Sequence, residues 1–286
     1  MHAKLNGVDT RYLLSSEGTA GWLTFIHPLG GDLSVWDQLA AAFAEHFRVL
    51  RYDLRGHGPM GDGNPFSIAD LAADLRALLD RCHVPRTHIV GLSMGALVAQ
   101  EFALTYPTRV GQLALCDALT DPSDAARQAF AARAATVRQH GMAPLVAPLL
   151  DHSFSMHFSR AHPEATEQVH DVLAATDPAG YAAGCDALAA FDGFARFSRI
   201  TAPTLVVTGK EYAGTSAAAA ALPVPASAPS PAAARSPASV IESIPVLASA
   251  QRLLLPGAHL AAIEDPGRFA AALLDFLSAG GAMQAP

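Results

Sequence analysis

Charge is scarce in this chain. Only 16% of its 286 residues are Asp, Glu, Lys or Arg, and the formal net charge is −7. An acidic balance excludes the basic surface that binding to nucleic acid asks for. Cysteine is scarcer still. Cys82, Cys116 and Cys185 are odd in number, far apart and form no C-x-x-C pair, which excludes a disulfide frame or a zinc knuckle. They read as small core residues. Long hydrophobic runs are also missing. Hydrophobic residues make up 51% of the chain, but much of that count is alanine, and nowhere do about 18 strongly apolar residues follow one another as a membrane span requires. The opening MHAKLNGVDTRYLL has no charged head, apolar middle or cleavage site of a secretory signal. The expectation is a soluble, cytoplasmic globule with neither membrane nor nucleic acid as partner, long enough for one or two domains with a sizeable core.

Through the first 118 residues, short apolar runs alternate with helical patterns. Trp22–Ile26 reads as a buried strand that stops at Pro28 and Gly30–Gly31. A second strand runs from Val49 to Tyr52 and stops at RGHG. Ile68, Leu71, Leu75, Leu78, Leu79 and Cys82 share one face at helical spacing, with Ser67 as N-cap. His88–Gly91 and Gln112–Cys116 give two further strands around a helix that ends near Tyr106–Pro107. Strands separated by helices imply βαβ units and a mostly parallel sheet. Residues 121–199 break this rhythm and read as alanine-rich helices, after which Thr204–Gly209 and Arg252–Leu255 restore strands and Pro266–Leu277 closes with a helix. The expected organisation is a core of residues 1–120 and 200–286 with a helical cap at 121–199, over the sheet edge where open α/β sheets bind ligands. Residues 213–240 are different again. Of these 28 residues 22 are Ala, Pro or Ser, which predicts a flexible surface insert within the core.

Gly91-Leu92-Ser93-Met94-Gly95 is a G-x-S-x-G motif with an apolar strand before it and a helix after it. The glycines permit a strained turn that lifts the serine hydroxyl above the sheet edge, so Ser93 is the candidate nucleophile. A serine nucleophile needs a base and a place for the oxyanion. His259, in LPGAHL between the last strand and the last helix, alone of the twelve histidines has the chain order and context of that base. The backbone N–H groups of Leu29, in HPLGG, and Met94 are the natural oxyanion donors. His152, His157, His162 and His170 lack metal-ligand spacing and read as surface or lid residues, so no metal and no cofactor is expected.

At this point the chain resembles the α/β-hydrolase superfamily over nearly its whole length, and within it the 3-oxoadipate enol-lactonase and small carboxylesterase group. The matching pieces are PLGGDLSVW (28–36), FRVLRYDLRGHG (47–58), GLSMG (91–95), RQHGM (138–142), TDPAGYAAGCDAL (176–188) and GAHLAAIEDPGRF (257–269). The resemblance implies an α/β-hydrolase fold, Ser93 as nucleophile, His259 as base, and Leu29 and Met94 as oxyanion donors. It also points to Arg133 as a partner for a substrate carboxylate, though an ordinary cap arginine fits as well. Asp32 and Trp36 follow the oxyanion loop and are candidates for the pocket floor, with packing an equal reading for Trp36.

The resemblance fails at the acid. The family carries an Asp in a Gly-x-x-Asp turn after strand seven, where this chain has Gly209-Lys210-Glu211-Tyr212, directly before the low-complexity insert. A tyrosine cannot hold the imidazole tautomer or stabilise an imidazolium as a carboxylate does. Three explanations stand open. The acid has moved to Asp117, at the end of strand six, where the group usually has Asn; or Glu211 reaches His259 with its longer side chain; or the chain is catalytically impaired. The expected function is a serine hydrolase acting on a small carboxylic ester or lactone. A broad carboxylesterase and a hydrolase-fold ligand-binding protein are the alternatives, and the oligomeric state is left open.

Overall fold

The computed structural model describes residues 1–279 apart from Ser16, Asp62, 119–123 and 212–249. The insert expected at 213–240 and Tyr212 lie outside the described residues. An amino-terminal hairpin, β1 (His2–Leu5) and β2 (Val8–Leu14), precedes β3 (Trp22–Ile26), β4 (Arg48–Tyr52), β5 (Thr87–Leu92), β6 (Val110–Cys116), β7 (Thr204–Gly209) and β8 (Gln251–Leu255). The eight strands form one sheet in the order β1-β2-β4-β3-β5-β6-β7-β8. Pairing is antiparallel from β1 through β2 to β4 and parallel across the remainder. The hairpin falls outside the strands anticipated from the sequence because Asn6–Gly7 sits amid polar residues that mask its alternation. Its turn is nonetheless the favoured one, with both residues at positive φ.

Strand periodicity sorts the core onto the two faces. Ile89, Leu113, Leu115 and Val206 point to the side covered by α2 (Ile68–Arg81) and α3 (Met94–Thr105). Val90, Leu92, Ala114, Leu205 and Val207 point to the side covered by α1 (Asp37–Ala44). Helix α2 begins with a full capping box, Ser67 and Asp70 each binding the other's backbone amide.

Between β6 and β7 the described residues include five α-helices: α4 (Asp124–His140), α5 (Ala143–Ser153), α6 (Met156–Ala161), α7 (Pro163–Ala175) and α8 (Pro178–Ala190). After β8 come α9 (Ala261–Glu264) and α10 (Pro266–Ala279), the latter packing Phe269, Leu273 and Phe276 onto the α1 side. No helix among the described residues is long and apolar enough to cross a membrane.

Candidate active site

Strand β5 ends in a sharp turn at Ser93, whose backbone sits at φ 54°, ψ −113°. A non-glycine residue at positive φ is strained and persists only where its surroundings over-determine it. Here the surroundings are backbone. A Cβ on Gly91 would lie 2.3 Å from the carbonyl oxygen of Gly95, and one on Gly95 would lie 2.4 Å from that of Ile26. Ser93 N–H donates to the Cys116 carbonyl at 2.9 Å, tying the turn to the end of β6. Met94 opens α3, so its N–H belongs to the first turn, where amides have no intrahelical acceptor.

The loop after β3 carries Leu29. The N–H of Leu54 donates to His27 Nε2 at 2.8 Å, which leaves the proton on Nδ1 to donate to the Pro28 carbonyl at 2.8 Å. Burial lowers the His27 pKa, in keeping with this neutral tautomer. Gly30, at φ +75°, lies so close to Leu173 and Tyr181 that a Cβ would come 2.9 Å from each side chain. Thr176 donates its hydroxyl to the Gly30 carbonyl at 3.1 Å. The inserted helices therefore hold this loop from above while Asp53, which accepts from Leu33 N–H at 2.8 Å, holds it from below.

His259 follows β8 on a loop that packs on Gly209 and joins the inserted helices through Leu260 N–H to the Ser153 carbonyl, 2.8 Å. Its ring centre is 5.5 Å from that of His152. Burial first, then the neighbouring His152 and Arg133, push the His259 pKa down to about 3, so its imidazole is neutral at ordinary pH. Neutral imidazole is the form that accepts a proton.

Ser93, His259, Leu29, Arg133 and His152 all wall one cavity of about 660 Å³. Arg133, from α4, is buried. Its Nη1 donates to the Tyr181 hydroxyl at 3.4 Å and its guanidinium carbon lies 5.2 Å from the centre of the Phe130 ring. Its Nε and Nη2 have no hydrogen-bond partner among the described residues. A buried guanidinium with donors to spare favours an anion in the cavity.

The acid candidates are placed very differently. Asp117 is buried, adopts φ 42°, and takes Gly209 N–H at 3.1 Å on its Oδ1. Burial pushes its carboxyl well above the usual carboxylate range; the Gly209 bond pulls it down, and the charge of Glu264 pushes it up again. Glu211 is exposed, and it is its backbone N–H that meets the histidine loop, at the Gly257 carbonyl, 2.9 Å.

The pocket-floor expectation needs correction. Trp36 is fully buried with its ring 5.0 Å from Phe25, and neither it nor Asp32 belongs to the cavity wall. Asp32 instead caps the turn at Ser34 and pairs with Arg11. His152 and His162 both border the cavity from the inserted helices, His152 half-buried and His162 exposed. Leu145, Leu149 and His152 recur at i, i+4 and i+7, a spacing that puts the histidine on the inward face of α5. Among the described residues no group of three or more His, Cys, Asp or Glu is arranged to hold a metal ion.

The model of the alpha/beta hydrolase fold family matches residues 21–215. The chain is 36% identical over 193 residues to 3-oxoadipate enol-lactonase 2 of Acinetobacter baylyi, covering 66% of this chain and 70% of that one. It is 35% identical over 188 residues to a Variovorax paradoxus protein that bears the name carbamate hydrolase RutD, covering 64% and 71%. Among solved structures, the enol-lactonase of Burkholderia xenovorans superposes with a TM-score of 0.85 at 30% identity, over 97% of this chain and 100% of the other. A protein with this fold, this elbow and these relatives belongs to the alpha/beta hydrolase family.

Proposed function

We propose that the protein is a serine hydrolase that cleaves a small carboxylic ester or lactone carrying a carboxylate group. The observation that carries this reading is the common wall: Ser93 at a strained elbow, neutral His259 and the buried Arg133 guanidinium all border one cavity. Ser93 Oγ attacks the acyl carbon while His259 takes its proton, and the N–H groups of Leu29 and Met94 receive the oxyanion. The alcohol or enol oxygen departs from the acyl carbon with the proton from His259, as a separate product from an ester and tethered to the acyl chain from a lactone. Water, deprotonated by the same imidazole, then attacks the acyl-enzyme and releases the acid. Asp117 is the acid that supports His259, and Arg133 binds the substrate's own carboxylate with Nε and Nη2. The relatives named as enol-lactonases support the lactone; the one named as a carbamate hydrolase offers a carbamate as the neighbouring chemistry. No step asks for a metal or a cofactor, and the substrate is the one partner the mechanism requires.

The reading as a hydrolase-fold ligand-binding protein is favoured by the burial of Asp117, which pushes its carboxyl up and weakens it as a standing charge. Fluorophosphonate labelling separates the two. Labelling of the folded protein that disappears in Ser93→Ala supports the hydrolase. Folded protein that takes no label overturns it. Turnover of carboxylate-bearing lactones and esters against neutral esters then distinguishes the proposed substrate from that of a broad carboxylesterase.

A further inference from the structure

The loop that carries His259 is fastened by a residue outside the expected catalytic set. Glu264, the last residue of α9, turns its carboxylate back toward the loop. Its Oε1 accepts the N–H of Ala258 at 2.7 Å and the N–H of Ser155 at 2.9 Å, while its Oε2 accepts the Ser155 hydroxyl. Gly257, at φ +112°, lies against the same group, so that a Cβ there would come 2.8 Å from the carboxyl carbon. Ser155 is buried and is itself the N-cap of α6, accepting from Phe158 N–H at 3.2 Å. One carboxylate thus joins the residue before His259 to the junction of α5 and α6, two residues beyond the Ser153 carbonyl that receives Leu260 N–H. Glu264 also belongs to the cavity wall.

We propose that Glu264 is a positioning residue: it fixes the backbone from Gly257 to Leu260, and with it the reach of His259 toward Ser93, and makes that reach depend on the inserted helices being seated. The inference rests on the reading of His259 as the base. A loop bound on one side alone leaves a histidine free to swing, and a small misplacement of a base costs rate steeply. The titratable and charged groups acting on His259 are His152 from α5 and Arg133 from α4, while Glu264 from α9 binds its loop at Ala258 and its charge also acts on Asp117 beyond β6. Loosening the staple admits water to the ring, which removes the burial that holds it neutral.

The test uses the full chain with Glu264→Ala, Glu264→Gln and Ser155→Ala, read by kcat and KM on a p-nitrophenyl ester, the acid limb of kcat/KM and the thermal midpoint. Glu264→Ala is expected to lower kcat at least tenfold and to move the acid limb to higher pH. Glu264→Gln, which keeps a carbonyl oxygen for Ala258 N–H, is expected to restore most of the loss. Ser155→Ala, which loses the hydroxyl bond to Oε2 but keeps the backbone N–H bond to Oε1, is expected to lower kcat in the same direction but less than Glu264→Ala. A folded Glu264→Ala with parental kcat and an unmoved acid limb overturns the proposal, as does an equal loss in both Glu264 variants with the limb unmoved. Should the alanine variant not fold, Glu264→Asp decides in its place: it keeps the charge but falls one methylene short of bridging, so lowered kcat supports and parental kcat overturns. Parental labelling of Ser93 in His259→Ala would defeat the base reading separately. If no ester is turned over, the imidazole titration of His259 followed by NMR in the Glu264 variants answers the same question.

Discussion

Gly209 N–H, at the end of β7, donates to Oδ1 of Asp117, at the end of β6, across 3.1 Å. The bond links the turn that follows β7 to the candidate acid at the end of β6. This hydrogen bond counters the burial of Asp117 in setting its charge, and burial wins. The sign of the consequence follows. A carboxyl whose folded pKa lies above its unfolded value gives up its proton more readily on unfolding, so stability falls as pH rises from about 4 toward the folded value. Asp117→Asn removes that slope. The variant is expected to gain thermal stability over the parent at pH 8 and little at pH 4. Each pKa unit is worth about 1.4 kcal/mol, and each kcal/mol moves the midpoint roughly 2–4 °C in chains of 150–250 residues. Melting curves at the two pH values check it; a parent whose stability is flat or rises across this range refutes the slope.

The same substitution is expected to act oppositely on turnover. If Asp117 supports His259, Asp117→Asn lowers kcat by about 10²-fold or more, since an acid that orients the base contributes up to roughly 10⁴ in the related triad. Glu211→Gln, at an exposed site, is expected to stay within about twofold. Steady-state kinetics of both variants on one ester decides the matter, and equal turnover in Asp117→Asn and the parent would sink the migrated acid.

The elbow and the parallel sheet were legible because they are local. Gly91, Ser93 and Gly95 declare a strained turn by their spacing, and the apolar runs from Trp22 to Val207 declare buried strands. What resisted reading depends on distance in the fold. Glu264 reads as one carboxylate in IEDP, and only the fold brings it to Ser155, 109 positions back in sequence. Trp36 follows the Leu29 loop in sequence, yet its ring turns onto Phe25 beneath the sheet instead of into the cavity. His152 was readable in principle from its spacing with Leu149 and Leu145, but the polar residues around it masked the pattern.

His259 predicts an unusual pH profile. Its imidazole stays neutral down to about 3, with burial as the first cause and His152 and Arg133 after it. The base form is therefore present throughout the ordinary range, and kcat/KM is expected to hold level well below pH 5.5 where a free histidine would have lost most of its basicity. Arg133→Met removes a standing cation and is expected to move the acid limb upward while leaving it below 6.5, because burial remains. A parental limb at 6.5 or above would show that water reaches the ring.

The two glycines of the elbow separate sharply from another glycine of the chain. A methyl group on Gly95 meets the carbonyl oxygens of Ile26 and His27, at 2.4 and 2.8 Å, and backbone cannot step aside as a side chain can. Gly95→Ala is expected to cost about 1–3 kcal/mol or more and to slow fluorophosphonate labelling of Ser93 more than tenfold. Gly267, in the first turn of α10, has open space around the same position. Gly267→Ala is expected to raise stability by about 0.5–1 kcal/mol. Thermal midpoints and labelling rates of the two variants, measured side by side, test the contrast.

Arg133 makes the substrate prediction concrete. Charged hydrogen bonds are worth about 1.5–3 kcal/mol, so losing them from a bound carboxylate lowers kcat/KM by roughly 10- to 150-fold. Arg133→Met is expected to lose that much on a carboxylate-bearing lactone and markedly less on a neutral ester of the same size. Arg133→Lys keeps the charge without the planar fork and is expected to fall between them. Stability should move the other way. The guanidinium is buried with two nitrogens unmatched among the described residues, and an uncompensated buried charge destabilises the fold that contains it. Arg133→Met is therefore expected to melt higher than the parent without ligand, and the parent alone to gain stability when a dicarboxylate is added. A selectivity ratio unchanged in Arg133→Met would show that the guanidinium faces no substrate carboxylate, whatever it does for the fold.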